Sequence, residues 1–406
     1  MRLLLVTQFF PPETGATQNR LGALVRTCRE EGIDVIVVTA MPHYPAGRIL
    51  PEYQGRIMKT ELDEGVQVIR AWLFTHGRGK WWRMMSFLSF AVTALLVGMI
   101  RAPRVDVVIW ETPPLFLGPT AWLLAKIKGA RLVTNVSDLW PASILALGGL
   151  RDGTIMRCLK TMEQFLYRRS ALISGQTQAI VADIAGRVPA VPVIHWGNGA
   201  EPVPEKKPDS ESWRRRWGIA SHRFLAGYAG LFGLSQGLEI IPQVAALTPD
   251  VVYVLVGDGP ARTVILSEIA RRRLHNVICV PTQPHENMPA VWSAFDCTLV
   301  CLKNLPLFRG AVPSKLFEAM ASGTPVILAV DGEAAEIVES SGCGLVTPPG
   351  DVSAIAQAIA RLVRNTEERQ QMGRRGRLAI AEHYDRRALN RRFIGAIKPL
   401  VDQQRL

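Results

Sequence analysis

The sequence predicts an α/β protein made of two successive open parallel sheets, each covered by helices. Three observations predict it. Short apolar runs of strand length alternate with helix-length segments, turn-rich loops follow those runs, and the alternation restarts after a proline- and charge-rich stretch near residue 200. A chain of 406 residues has room for two or three domains, at roughly 100–200 residues each. With 48% hydrophobic and 20% charged residues it can build packed cores, unlike disordered or fibrous chains.

The elements follow in order. Residues 1–7 read as a strand and 8–17 as a loop rich in Pro, Gly and Thr. Leu21, Leu24, Val25 and Cys28 fall at helical spacing within 20–30, and 34–39 is a second buried strand. Residues 66–72 and 105–110 are further strands; Pro113-Pro114 and a helix through 122–126 come after the latter. The strand at 131–136 delivers Ser137-Asp138-Leu139-Trp140-Pro141. A helix at 159–169, a strand at 171–174, a helix at 177–186 and a strand at 191–195 complete the first unit. Gly197-Asn198-Gly199 and the polar stretch behind it form a boundary. In the second unit, strands at 224–230, 251–256, 277–280, 325–329 and 344–346, with another at the end of 294–301, alternate with helices at 238–247, 314–321 and 352–363. A polar, basic helical stretch runs from 367. The expected division is 1–198, 199–380 and a C-terminal helix, 381–406, packing back toward the first domain. Two such Rossmann-like sheets imply a cleft where loops and helix N-termini offer free N–H groups to a ligand.

The net charge of +12 favours polyanions and phosphorylated ligands. Aromatic residues do not interleave with Lys and Arg as a base-stacking platform would, so nucleic acid is not an expected partner. Six scattered cysteines without a CxxC pair fit a reduced, cytoplasmic setting. The apolar run 3–6 is too short for a signal peptide. Residues 84–100 are apolar for one helix length, short of the roughly 20 residues that span a bilayer, and a span there would split the sheet. A buried connecting helix and a membrane-facing helix both remain open.

Several motifs can carry chemistry. Gly15 and Ala16 lie in a strand-to-helix loop that lacks the P-loop and dinucleotide patterns, and Arg20 follows one turn on. Gly257-Asp258-Gly259-Pro260 ends a strong apolar strand. In Pro313-Ser314-Lys315-Leu316-Phe317-Glu318, Ser314 is placed to cap a helix whose first turn carries Lys315. A cation there opposes the helix dipole, which a bound anion would explain. Glu318, three residues on, could accept ribose hydroxyls or pair with Lys315. Asp138, at a strand end, is an acid, a base or sugar-hydroxyl acceptor, or equally a helix cap. No HExxH, Cys/His cluster or Asp-x-Asp pair suggests a metal, and no GxSxG suggests a serine nucleophile.

These segments together resemble the GT-B fold glycosyltransferases of family 4, in the family's order over nearly the whole chain. The matching residues are the Gly15 loop, Gly197-Asn198-Gly199, Tyr228-Ala229-Gly230 with Gln236-Gly237, 256–260, 313–318 with 321–326, and 344–346 with Pro349-Gly350-Asp351. Met41-Pro42-His43-Tyr44-Pro45 and Asp138-Leu139-Trp140-Pro141 are similar to a bacterial subgroup that builds O-antigen, capsule or colanic acid, fucosamine transferases included. The resemblance implies two Rossmann-like domains facing across a cleft, the first on the acceptor side and the second holding the donor. It implies retaining transfer from a nucleotide-sugar, UDP by family prior, to a lipid-linked saccharide, without metal or other cofactor. Donor contacts would come from Gly15, Ala16, Arg20, Gly230, Gly233, Gln236, Gly257, Asp258, Gly259, Arg309, Pro313, Ser314 and Glu318, with Lys315 and Asp138 as the catalytic pair. Leu231 and Gln236 stand where many relatives have an Arg and a Lys, and Gly310 where many have a first Glu. The diphosphate's positive partner would then be Lys315, Arg309 or Arg20. Trp81, Trp82 and Arg83, ahead of the apolar helix, would meet an anionic membrane surface and the acceptor, placing the protein peripherally at the inner face of the cytoplasmic membrane. A nucleotide-sugar epimerase and a silent partner subunit of the same fold are the alternatives.

Overall fold

The computed structural model describes residues 1–44, 47–75, 79–146, 153–203 and 209–405. They form two compact units: Met1–Gly197 with Arg387–Leu406, and Asn198–Arg386.

Unit 1 contains β1 (Arg2–Val6), α1 (Ala16–Glu30), β2 (Asp34–Ala40), β3 (Met58–Asp63), β4 (Val66–Ala71), α2 (Lys80–Arg101), β5 (Val107–Thr112) and α3 (Leu117–Lys128). They are followed by β6 (Arg131–Val136), α4 (Ala142–Ala146), α5 (Thr154–Arg169), β7 (Leu172–Gly175), α6 (Gln178–Arg187) and β8 (Val193–His195). The sheet order is β3-β4-β2-β1-β5-β6-β7-β8. All neighbours pair in parallel except β3 and β4. β1 is central and its residues Leu3 to Val6 are buried, because a parallel strand is covered on both faces. β3 is absent from the sequence reading. Its segment, MKTELD, lacks an apolar run, since an edge strand is half exposed and tolerates charge.

Unit 2 contains α7 (Ser210–Arg216), β9 (Leu225–Ala229), α8 (Ile241–Leu247), β10 (Val252–Val256), α9 (Arg262–Arg271), β11 (Val277–Val280), α10 (Met288–Ala294) and β12 (Cys297–Cys301). It continues with α11 (Ser314–Ala321), β13 (Val326–Ala329), α12 (Glu333–Ser341), β14 (Gly344–Val346), α13 (Val352–Arg364) and α14 (Thr366–Ala379). Its parallel sheet runs β11-β10-β9-β12-β13-β14, with a buried core on each face. The helix expected over 238–247 starts as a 3₁₀ turn, Leu238–Ile240, and becomes α-helical at Ile241, with Pro242 in the first turn where its missing N–H costs nothing.

The last helix, α15 (Arg386–Arg405), belongs to the first unit's core. Phe393, Ile394, Ile397 and Val401 cluster with Leu21 and Leu24. Trp196 stacks on Phe393 at 4.1 Å and donates its indole N–H to Asn390. Residues 380–385 stay with unit 2, where Asp385 bridges to Ala200 and the Arg386 guanidinium donates to the Gly199 carbonyl.

α2 is two-faced. Phe90, Ala94 and Val97 enter the unit 1 core. Trp81, Met85, Leu88, Val92, Leu96 and Ile100, three or four residues apart, are exposed along one stripe. The segment Trp81–Arg101 is long and apolar enough to cross a membrane and is 28% buried. The reading of a buried connecting helix is thereby corrected: a helix packed on one side of a sheet leaves its outer face in solvent. Trp81 does not pack inside the unit, and Trp82, half exposed, stacks on Phe74.

Candidate functional site

The strand ends of unit 2 make a glycine-lined cradle. Gly230, after β9, has φ +137 and Gly257, after β10, has φ +149. A Cβ on Gly257 would lie 1.9 Å from the Gly230 carbonyl oxygen, so the two backbones meet as only glycine permits. Lys315, in the first turn of α11, comes up beside them. Its Nζ donates to the Tyr228 hydroxyl at 2.5 Å and to Gln236 Oε1 at 2.6 Å, and lies 4.0 Å from the Tyr228 ring centroid. A Cβ on Gly230 would approach Nζ to 3.4 Å. Burial pulls the amine down to about 7, with Cys301 and Glu318 acting in the opposite direction. Both hydrogen-bond partners are neutral, and no carboxylate bonds the ammonium directly; Glu318 acts on it only through space.

Ser314 does not cap α11. Pro313 holds the cap position and no side chain accepts from the first turn, because Ser314 already has helical backbone while a capping residue needs an extended one. Glu318 Oε2 accepts the Trp292 indole N–H at 3.3 Å, a contact that orients the carboxylate one turn along from Lys315. Asp258 is exposed and accepts the N–H of Gly259 at 2.8 Å, so it shapes its own turn. Gly233 precedes the 3₁₀ turn Leu234–Gln236 that presents Gln236. Arg309 is exposed on the 3₁₀ turn Pro306–Gly310, and its carbonyl sits against Gly332.

In unit 1, Gly15 and Ala16 open α1. Arg20 is buried and its Nη2 reaches Glu111 Oε1 at 2.5 Å and Ser137 Oγ at 2.8 Å, with the guanidinium 4.7 Å from the Trp196 ring centroid. Asn135 and Ser137 also donate to Glu111. Asp138 is half-buried; burial pushes its carboxyl up, and hydrogen bonds from the Ser143 hydroxyl and the Leu139 N–H oppose the shift. Glu13 is buried and accepts the N–H of His43 at 2.6 Å and of Tyr44 at 2.8 Å, tying the loops after β1 and β2 together. Trp81, Trp82 and Arg83 are exposed on the first turn of α2. Glu111, Glu13 and Trp292 escaped the sequence reading as site residues, and Tyr228 entered it only as part of the Tyr228-Ala229-Gly230 motif, without its hydrogen bond from Lys315. Only Glu111 carried a visible signal: a lone carboxylate in an otherwise apolar strand.

Comparison with known proteins accounts for both units. The family described as "Glycosyl transferase 4-like domain" matches residues 15–199, and "Glycosyl transferases group 1" matches residues 209–379. The putative colanic acid biosynthesis glycosyl transferase WcaI of Escherichia coli is 27% identical over 88% of this chain and 91% of its own. The probable glycosyltransferase WbjE of Pseudomonas aeruginosa is 24% identical over 75% of this chain and 78% of its own. In fold, sucrose-phosphate synthase of Thermosynechococcus elongatus superposes with TM-score 0.79 over 99% of both chains at 17% identity. Anabaena HepE in complex with UDP-glucose superposes with TM-score 0.73 over 98% of this chain and 100% of its own at 17% identity. Two parallel-sheet α/β domains of this kind, carrying these sequence families, define a glycosyltransferase of the GT-B fold. Within that class the chain belongs to glycosyltransferase family 4.

Proposed function

We propose that the protein is a retaining glycosyltransferase that moves a hexosyl or N-acetylhexosaminyl group from a UDP-linked donor to a polyprenyl-diphosphate-linked saccharide in bacterial surface polysaccharide synthesis. The observation that carries the donor half is Lys315: a cation held by neutral groups against the glycine-only backbone of Gly230 and Gly257. A diphosphate supplies the missing negative charge. The name of WcaI, a putative colanic acid biosynthesis glycosyl transferase, supports polysaccharide synthesis, and HepE's complexes with UDP and UDP-glucose support a UDP donor.

In this reading Lys315 and the backbone at 230 and 257–259 hold the diphosphate, and Glu318, set by Trp292, takes the ribose hydroxyls. The anomeric C–O bond to the diphosphate breaks while the acceptor oxygen forms its bond on the same face. The acceptor proton passes to the leaving phosphate oxygen, and Lys315 stabilises the growing charge. Asp138 orients the acceptor. Metal is not required, because Lys315 supplies the charge that a cation otherwise brings. The exposed stripe of α2, headed by Trp81, Trp82 and Arg83, seats the protein on anionic lipid at the inner face of the cytoplasmic membrane. A thermal-shift panel of nucleotides and nucleotide-sugars tests the donor: UDP at 100 times its Kd should add about 2.7 kcal/mol of stability. Glu318→Ala should weaken UDP and the intact donor alike, and transfer should persist in EDTA. Selective stabilisation by another nucleotide would replace UDP in this scheme.

A further inference from the structure

The helices of unit 1 divide by charge. Alternate residues of β1 and β2 enter two separate cores, so these cores lie on opposite faces of the sheet. α2, α3 and α5 pack on one, α1 and α15 on the other. α1 and α15 present exposed acids, Glu30 and Asp402 among them, together with exposed cations such as Arg26 and Arg29. Among the described residues, α2, α3 and α5 present no exposed acid. Their one carboxylate, Glu163, is buried and bonded to Arg187 and Tyr167. Their exposed charges are all cations, including Arg83 and Arg101 on α2, Lys126 on α3, and Arg157, Arg168 and Arg169 on α5.

The exposed apolar stripe of α2 continues onto its neighbours. Thr120 of α3 donates to the Ala91 carbonyl at 2.7 Å, and Lys128 donates to the Met99 and Ala102 carbonyls at 2.9 and 2.6 Å, so α3 lies against the second half of α2. Ile127, on α3, is 55% exposed. α5 comes next: its Phe165, 40% exposed, meets Trp122 of α3 edge-to-face at 5.2 Å. Each ring has a cation one helical turn on. Lys126 Nζ stands 5.2 Å from the Trp122 centroid, and the Arg169 guanidinium 5.3 Å from that of Phe165. A contiguous apolar face on three helices marks an interaction surface. With cations along it and no carboxylate, it complements an anionic bilayer: rings sit at headgroup level, and basic side chains reach lipid phosphates.

We propose that anionic lipid meets the whole α2–α3–α5 face, with Trp122, Phe165, Lys126 and Arg169 as a second anchor beside the stripe of α2; this rests on the reading of α2 as lipid-facing. One helix alone can roll about its axis, whereas anchors on separate helices hold the sheet of unit 1 parallel to the bilayer. The test is co-sedimentation of the full chain with vesicles of equal parts phosphatidylcholine and phosphatidylglycerol. Lys126→Gln with Arg169→Gln should lower partitioning about thirtyfold, at about fivefold per charge. Arg26→Gln with Arg29→Gln removes the same charge from α1 and should change it by about twofold or less, because charges more than about 10 Å from lipid are screened in about 0.1 M salt. A fluorophore on Cys158, the exposed thiol of α5, reads the contact directly in a Cys279→Ser background, and headgroup-nitroxide lipid should quench it. Equal losses from the two double variants, or an unquenched label in vesicle-bound protein, would overturn the second anchor. So would a dimer in lipid-free solution that the Lys126/Arg169 variant dissociates, since a second copy would then cover the face. Failure of the wild type to bind vesicles would instead remove the reading of α2, and this extension with it.

Discussion

Arg20 in α1 and Lys315 in α11 occupy comparable places: each is a basic residue in the first turns of a helix that follows a strand end. Arg20 is answered by a buried carboxylate, Glu111, at 2.5 Å, and by Trp196 and Ser137. Lys315 is answered by a phenol and an amide. A charge met by an opposite charge holds a domain together. A charge whose direct hydrogen bonds go to neutral groups, with its amine pulled down to about 7, is available to an anion. Of the candidates for the diphosphate's partner, Lys315, Arg309 and Arg20, the role is proposed for Lys315, while the charge of Arg20 is taken up inside unit 1.

The sharpest way to break this contrast is to delete each cation. Arg20→Ala leaves Glu111 buried and unpaired, which should cost about 3–5 kcal/mol in denaturant unfolding. Lys315→Ala should leave stability unchanged or higher. Equal destabilisation would erase the distinction.

The converse holds for ligand binding. Lys315→Ala should lower UDP affinity or transfer rate by about ten- to a hundredfold, since a hydrogen bond to a charged group contributes roughly 1.5–3 kcal/mol. Calorimetry with UDP and steady-state transfer assays measure it. A wild-type affinity in the variant would relocate the diphosphate.

Proton linkage sharpens the same point. The unfolded chain keeps the Lys315 amine near the ordinary lysine value of 10.5, and the folded protein lowers it to about 7. Between those values the unfolded state binds the extra proton, so the stability of the empty protein should rise with pH across that window. A bound diphosphate restores the ammonium, so UDP binding takes up a proton above pH 7. Affinity should then fall as pH rises, approaching about tenfold per unit. Lys315→Met isolates the effect, since it should flatten both dependences relative to wild type.

A smaller effect separates the two faces of α2. Replacing Trp81, Trp82 and Arg83 together should reduce co-sedimentation with anionic vesicles, each basic residue contributing about 1 kcal/mol near the surface. Wild-type binding should rise with anionic lipid and fall with salt. Phe90→Ala, on the buried face, should instead lower stability by about 3–5 kcal/mol and leave lipid binding of the folded fraction intact. Equal partitioning of wild type and triple variant would refute membrane docking through this stripe.

Much of this molecule is legible in its residues alone. Apolar runs such as 34–39, 131–136 and 252–256 announce parallel strands because those strands are covered on both faces, and the same burial makes their helices amphipathic. The 313–318 segment drew attention to Lys315 through a local contradiction, a cation at the positive end of a helix, and that contradiction is the ground for proposing it as an anion's partner. Tertiary structure alone decided what answers each charge. Glu111 and Arg20 are 91 residues apart, Tyr228 and Lys315 are 87, and Trp292 and Glu318 are 26. Composition and periodicity describe a residue's own element, whereas a side chain's partner depends on which strands the sheet order makes neighbours. The edge strand β3 was hidden for that same reason, being defined by what packs, or fails to pack, against it, and the same packing chose the exposed reading of α2 over the buried one.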